Sequence, residues 1–373
     1  MKDRLPHPGA EYVVQFDANP KPHPEFRRVA SHLGARRAEK LVVCRDASAP
    51  VGVPVRVRVV AVSRPSSSAR GHIEVAYLGR AERDPYAGLY VDPFTKRRFE
   101  AHLAAGTPVL LEGPQGCGKS SLAEAAANAT DMVFVRFNAS AVLETTDFLA
   151  TLQLAVENGA TRSLWLRTEI GLALERAAVE RDRRFMVFID ELNRCRELAR
   201  NGIMPILDGS RVAWDPSTAA WLPVPKNMVF VAAVNIGDGF TGTTALDLAQ
   251  VDRFAVIQVD YPPREAEEQI LVSRFPTVAA AHIRAVTQVA ATLRTDPELR
   301  LAVSVRATQE VCQVLSDERF RQANDEELAM LIRAAVCGRL RGAWDDPSTE
   351  AGVASTKITE ILAETPTRRR RGG

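Results

Sequence analysis

Residues Gly113-Pro114-Gln115-Gly116-Cys117-Gly118-Lys119-Ser120 spell a complete G-x-x-x-x-G-K-S run, and no other stretch constrains the fold as much. Such a loop works only between a buried strand and a helix, because its backbone N–H groups must converge on phosphate oxygens while the helix N-terminus adds partial positive charge. Both flanks have that character. Pro108-Val109-Leu110-Leu111 is a short apolar run that reads as a strand, and Ser121-Leu122-Ala123-Glu124-Ala125-Ala126-Ala127 reads as a helix opening on the loop. The glycines allow the tight turn. The pattern assigns residues 113–121, Ser121 included, to nucleotide phosphate. Lys119 would reach the β- and γ-phosphates and Ser120 would ligate Mg²⁺.

At 373 residues the chain is too long for one ordinary core and predicts two or three compact units, which its 46% apolar content can supply. A net charge of +2 excludes a bulk polycation, so an anionic partner would have to be met by a local patch. Five cysteines (Cys44, Cys117, Cys195, Cys312, Cys337) form no C-x-x-C pair, and the six histidines are dispersed. Neither a disulfide framework nor a structural metal site is expected. No apolar stretch approaches the roughly 20 residues of a membrane span, and the first residues carry no signal-peptide core. A cytoplasmic protein with no membrane partner is expected.

Residues 1–84 are expected to form a small basic α+β domain, with strands at 11–16, 41–44, 55–59 and 72–78 and room for a helix at 24–40. Val55-Arg56-Val57-Arg58-Val59 alternates with a period of two, valines on one face and arginines on the other. The polar loop 63–71 turns it into the next strand. Basic side chains outnumber acidic ones here; a solvated arginine face is favoured over a nucleic-acid surface, since no aromatics are interleaved with the charges. From 85 to 262, apolar strands at 109–112, 133–137, 185–189, 229–234 and 255–259 alternate with helical segments, the signature of a parallel sheet. After Pro262-Pro263 the pattern is helical at 264–275, 279–293, 304–315 and 326–341, predicting a helical lid over 263–345. Residues 346–373 are read as a C-terminal helix and a disordered basic tail containing Arg368 and Arg371.

The second chemical segment is Phe185-Met186-Val187-Phe188-Ile189-Asp190-Glu191, an apolar strand delivering two carboxylates. Asp190 at the strand end suits the Mg²⁺ shell, and Glu191 suits the base that polarises an attacking water. The second carboxylate argues for hydrolysis beyond binding.

These segments and the helical lid resemble the AAA+ ATPases over roughly residues 90–340, and Asp190-Glu191-Leu192-Asn193-Arg194 is similar to the Asp-Glu-Ile-Asn-Arg run of the MoxR-like branch. The resemblance implies an α/β P-loop NTPase module with flanking helices and a lid. It further implies that Thr145-Thr146-Asp147-Phe148-Leu149 and the segment to Ser163 are that branch's helix-2 insertion. The hairpin before the sensor strand would be Ile206 to Trp214 with Trp221-Leu222-Pro223. Both would face a ring pore and engage a client. By the same resemblance Asn235, ending Phe230-Val231-Ala232-Ala233-Val234-Asn235, is the sensor amide. Arg253, in the run from Gly242 to Phe254, is an arginine finger reaching a neighbour's γ-phosphate, and Arg306 is the second sensor arginine, with Arg300 nearby. Asn138, by position, would restrain Glu191.

Two features depart from the pattern. Asn235-Ile236-Gly237-Asp238 has an Asn-x-x-Asp spacing seen in GTP-hydrolysing restriction subunits, which keeps GTP open, although the doubled arginine before Phe254 is absent. The basic N-terminal unit is not part of a minimal MoxR-like protein. The implied function is a Mg²⁺-dependent ATPase that forms a ring, a hexamer, and remodels, activates or assembles a client complex, with a von Willebrand factor A-type protein as partner. The alternatives are a nucleic-acid-linked defence or restriction component and a nucleotide-controlled scaffold.

Overall fold

The computed structural model describes residues 11–15, 28–33, 36–45, 54–62, 72–80, 84–157, 160–236, 244–299 and 303–364. The polar loop 63–71, Gly237 and Asp238, Gly242, Arg300 and the tail 368–371 lie outside them. The chain divides into two compact units, Met1–Ala87 and Gly88–Gly373.

In the first unit, β1 (Glu11–Gln15), β2 (Arg28–Leu33), β3 (Arg36–Cys44), β4 (Pro54–Val62) and β5 (His72–Arg80) form one sheet in the order β1-β4-β5-β3-β2. Val55, Val57 and Val59 are buried with Val42, Ile73 and Val75, while Arg58 is exposed, as the alternation requires. The helix expected at 24–40 is not formed; that stretch holds β2 and most of β3, paired with Leu33 opposite Arg36 and Val29 opposite Val43. Among the described residues this unit is therefore all-β, not α+β. Arg36-Arg37-Ala38-Glu39-Lys40 has helix-forming composition, but it runs into Leu41-Val42-Val43, which pair with β5 and bury both valines. Long-range pairing and burial outweigh weak local propensity.

The second unit opens with α1 (Pro93–Ala105), whose cap Asp92 accepts the Thr95 N–H at 2.9 Å. An α/β layer follows: β6 (Val109–Gly113), α2 (Lys119–Ala129), β7 (Met132–Asn138), a hairpin β8 (Ala150–Glu157) and β9 (Ala160–Arg167), then α3 (Glu169–Val179) and β10 (Arg184–Asp190). After two short helices, α4 (Glu197–Arg200) and α5 (Met204–Leu207), come a second hairpin, β11 (Val212–Asp215) and β12 (Ala220–Pro223), and then β13 (Met228–Asn235), α6 (Leu248–Val251) and β14 (Ala255–Gln258). The sheet is parallel, in the order β14-β6-β13-β10-β7. Its strands read as apolar runs because helices cover both faces; Phe185 to Ile189 are completely buried. Register sets the site: Asn235 stands opposite Gly113, and Asp190 opposite Asn138. The chain then continues as α7 (Arg264–Arg274), α8 (Ala280–Arg294), α9 (Val305–Leu315), α10 (Asp325–Cys337) and α11 (Glu350–Glu364), around a core that includes Leu271, Ile283, Val289, Val311, Leu328 and Ile358.

The two hairpins are tied together. Arg167, ending β9, grips the fully buried Asp215, ending β11, through Nη1 and Nη2 at 2.6 and 2.8 Å. Ser217 and Thr218 hydroxyls also donate to that carboxylate, at 2.7 and 2.8 Å. Trp214 and Trp221 pair edge to face across the second hairpin, with ring centroids 5.4 Å apart. The first hairpin leaves Leu152, Leu154, Val156 and Trp165 exposed.

The hydrogen bond from Arg167, with those of Ser217 and Thr218, holds the Asp215 carboxyl well below the ordinary carboxylate range despite its burial. Its folded pKa is thus depressed, so its contribution to stability is full above the unfolded value of about 4 and is lost as pH falls toward the folded value. Asp215→Ala is expected to destabilise the protein by about 3–5 kcal/mol, since it strands an arginine beside an emptied buried site. Thermal denaturation from neutral pH down to about pH 3 should show the wild type beginning to lose this increment below about pH 4 and Asp215→Asn lacking that part of the acid dependence.

Candidate nucleotide site

The carboxyl ends of β6, β13 and β10 open on a pocket of about 580 Å³ lined by Gln115 to Leu122, Arg136, Asn138, Asp190, Glu191, Asn235, Tyr261 and Arg306, among others. The loop of residues 113–118 is shaped by its glycines. Gly116 and Gly118 have φ of 73° and 104°, in the left-handed region. A Cβ on Gly113 would stand 1.9 Å from the Val259 carbonyl oxygen. Cys117 is half-buried and its thiol donates to the same Val259 carbonyl at 3.4 Å; burial raises its pKa, so it packs as a thiol.

Lys119 is buried, and its Nζ donates to the Gly113 and Pro114 carbonyls at 2.9 and 2.8 Å. Burial lowers its pKa, opposed by Cys117 and Asp190 and reinforced by Arg306. An anion arriving in the loop would meet an ammonium already desolvated and pointed inward. Ser120 Oγ donates to Asp190 Oδ2 at 3.3 Å. That pair of hard oxygens fits Mg²⁺, which prefers one or two protein oxygens together with phosphate and water.

Glu191 follows Asp190 in the left-handed region, with φ of 56°. A non-glycine residue is held there only by its surroundings, and such strain concentrates at functional sites. The Glu191 carboxylate lies 3.6 Å from Arg194 Nε. Asn138 lines the same pocket, but its Oδ1 accepts the Ser140 N–H at 3.0 Å, so the structure engages Asn138 with Ser140 and Glu191 with Arg194. Asn235 reaches the pocket from β13, the strand between the phosphate-loop strand and the carboxylate strand. Arg306, near the start of α9, reaches it from the helical part. Arg253 lies outside the pocket: its Nη1 donates to the Ala249 carbonyl at 2.5 Å, and its charge adds to the Ser210 hydrogen bonds that depress the Asp208 carboxyl.

Residues 108–254 match the model of the AAA domain, dynein-related subfamily. The segment that carries the phosphate loop, Asp190, Glu191 and Asn235 is thus similar to AAA domains of the dynein-related subfamily. The chain is also 29% identical over 236 residues to a Thauera aromatica protein provisionally named chaperone BssE, covering 62% of this chain and 78% of that protein. It is 27% identical over 176 residues to the uncharacterized Bacillus subtilis protein YojN, covering 46% of this chain and 54% of that one, so it spans only about half of YojN. A point variant of Thermotoga maritima RuvB aligns with a TM-score of 0.41 at 16% identity, over 66% of this chain and 70% of that chain.

Sequence reasoning gave no role to several residues in or beside the pocket. Arg136 Nη2 bonds Asp190 Oδ2 at 2.6 Å, the same oxygen that Ser120 approaches. Its signal was present: Arg136 is the one charge in the apolar strand Met132–Asn138, two residues from Asn138 and so on the same face. Asn193 is buried and its Nδ2 donates to the Asn235 carbonyl at 2.8 Å, fastening the turn after Glu191 to the end of β13. Tyr261 Oη donates to the Gln115 carbonyl at 2.8 Å; nothing local to Tyr261 announces that contact.

Lys119→Ala is expected to weaken nucleotide binding by about 3 kcal/mol, roughly a hundredfold in Kd. Glu191→Gln should bind normally and turn over about 10²- to 10⁴-fold more slowly. Titration with a fluorescent nucleotide beside a phosphate-release assay separates the two effects, and equal loss of binding in both variants would contradict the assignment.

Proposed function

We propose that the chain is a Mg²⁺-dependent ATPase that assembles as a hexameric ring and uses hydrolysis to remodel, activate or assemble a client protein complex. The observation that carries this is the division of the expected catalytic set: Lys119, Ser120, Asp190, Glu191, Asn235 and Arg306 share one pocket, while Arg253 lies outside it. An arginine that serves phosphoryl transfer from outside its own site does so across a subunit boundary.

Ser120 and Asp190 would hold the metal, and residues 113–121 the phosphates. Bound there, Mg²⁺ would supply Lewis-acid polarisation of the γ-phosphate. Lys119 neutralises phosphate charge from a site where burial has already removed its water. Glu191 takes the proton of the attacking water, which requires its carboxylate to leave Arg194; Asn235 orients that water. Arg306 links phosphate occupancy to the lid, and Arg253 of the adjacent copy stabilises transferring charge with a planar, permanently charged fork. The name of the Thauera aromatica relative supports a client-directed role. The two hairpins, clamped by Arg167 and Asp215, with Leu152, Leu154 and Trp221 exposed, are the surface through which a client, such as a von Willebrand factor A-type protein, would be engaged.

Mixing subunits tests the shared site. Lys119→Ala and Arg253→Ala proteins should each be inactive alone, yet regain a measurable fraction of wild-type ATP turnover together, because an intact phosphate loop then meets an intact finger from its neighbour. A mixture no more active than its parts, with mixed rings verified by mass, sinks the trans assignment. Capture from the native host with Glu191→Gln, with and without nuclease, decides the client: a protein retained after nuclease supports remodelling, whereas nucleic acid whose proteins vanish with nuclease overturns it.

A further inference from the structure

One side chain reaches two segments that touch the phosphate loop. Arg294, the last residue of α8, has 8% of its side chain exposed and faces Glu267 of α7, which has none. Its Nη1 and Nη2 donate to the two Glu267 oxygens at 2.5 and 3.1 Å, and its Nε donates to the Val303 carbonyl at 2.6 Å. Thr308 Oγ1, on α9, donates to the same carboxylate at 2.6 Å. The guanidinium also lies 4.4 Å from the centroid of the Tyr261 ring, and Tyr261 Oη holds the Gln115 carbonyl. Burial pushes the Tyr261 phenol up to about 12, so it stays a donor at working pH.

Two of these contacts, those with Val303 and Tyr261, lead to the pocket by a short route. Val303 precedes Ser304, the cap of α9, and Ser304 packs so closely on the phosphate loop that a Cβ on Gly116 would come within 2.7 Å of its Cβ. Arg306 is two residues further on and lines the pocket. Glu267 alone would satisfy the charge of Arg294. The bond to Val303 and the stacking on Tyr261 instead join α8 to two segments that meet the loop.

We propose that Arg294 is a positioning residue for turnover: fixed by Glu267, it sets the N-terminus of α9, hence Arg306, and seats Tyr261 on the Gln115 carbonyl, so that the lid follows the phosphate loop when nucleotide binds. It rests on the ATPase proposal above. Arg294 itself does not line the pocket. Its loss therefore acts on turnover and on the ordering of α9, and little on affinity. A lysine keeps the charge but not the fork that reaches Glu267 and Val303 together.

The test uses the full chain as wild type, Arg294→Lys, Arg294→Gln and Tyr261→Phe. It measures Kd for fluorescent ADP, kcat and KM for ATP with Mg²⁺, and hydrogen exchange of residues 303–308 with and without nucleotide. Expected are Kd values within about threefold of wild type, kcat lower by about tenfold in both Arg294 variants and about threefold in Tyr261→Phe, with nucleotide-dependent protection of 303–308 lost in the Arg294 variants. Tyr261→Phe keeps the ring and the buried ion pair, so it decides the matter if the Arg294 variants do not fold. The proposal is overturned by wild-type kcat and protection in folded Arg294→Lys, by wild-type kcat in Tyr261→Phe, or by Kd rising in step with the fall in kcat. A wild type that binds nucleotide but does not hydrolyse it counts against the ATPase proposal alone, since the exchange comparison still decides the positioning role.

Discussion

The approach of the phosphate-loop backbone to the chain leaving β14 is the constraint on which the second unit depends. Only a hydrogen fits at Gly113 against the Val259 carbonyl, and the Val259 N–H in turn donates to the Glu112 carbonyl at 2.7 Å. That contact seats the edge strand beside β6 and aims the following residues back over the loop. Tyr261 reaches Gln115 from there, and α7 begins three residues later. A side chain at 113 would separate these layers, and the pocket would lose one wall.

Arginine does several distinct jobs around this pocket, and burial and partner decide which. Arg136 and Arg194 pair with the two carboxylates that the proposed chemistry needs, at 2.6 and 3.6 Å, so both carboxylates are held by exchangeable cations. Arg306 lines the pocket, Arg253 lies outside it, and Arg294 is buried against Glu267 in the helical part. Partly exposed pairs contribute less to stability than a buried pair costs to break. The same residue type therefore serves as partly exposed counter-ion in the pocket and as buried anchor behind it.

The first hairpin shows a related separation between rigid base and exposed tip. Arg167, at its base, is fixed to the fully satisfied Asp215 carboxylate beside the turn of the second hairpin, while apolar side chains of β8 and β9 remain exposed. A two-stranded hairpin is marginal by itself in water. Anchoring its base to a second hairpin lets an apolar surface persist without collapsing onto the core.

By itself the sequence determined the phosphate-loop layer: its five sheet strands between 109 and 259, the loop with Lys119 and Ser120, and Asp190 and Glu191 at a strand end. These were legible because each is local, carried by apolar runs, glycine spacing and residues adjacent in the chain. The helical pattern after Pro262 was legible for the same reason. The stretch 24–40 misled because its composition suits a helix, while its fate is set by valines further along that must enter a sheet. Arg136 on Asp190, Arg167 on Asp215, Tyr261 on Gln115 and Arg294 between three elements were decided only by the tertiary structure. Their partners lie 9 to 146 residues apart, with the pairs of Arg136 and Arg167 falling at 54 and 48. Hydrogen bonds and ion pairs depend on distances of a few ångströms, and a chain fixes such distances between remote residues only when its whole core has packed.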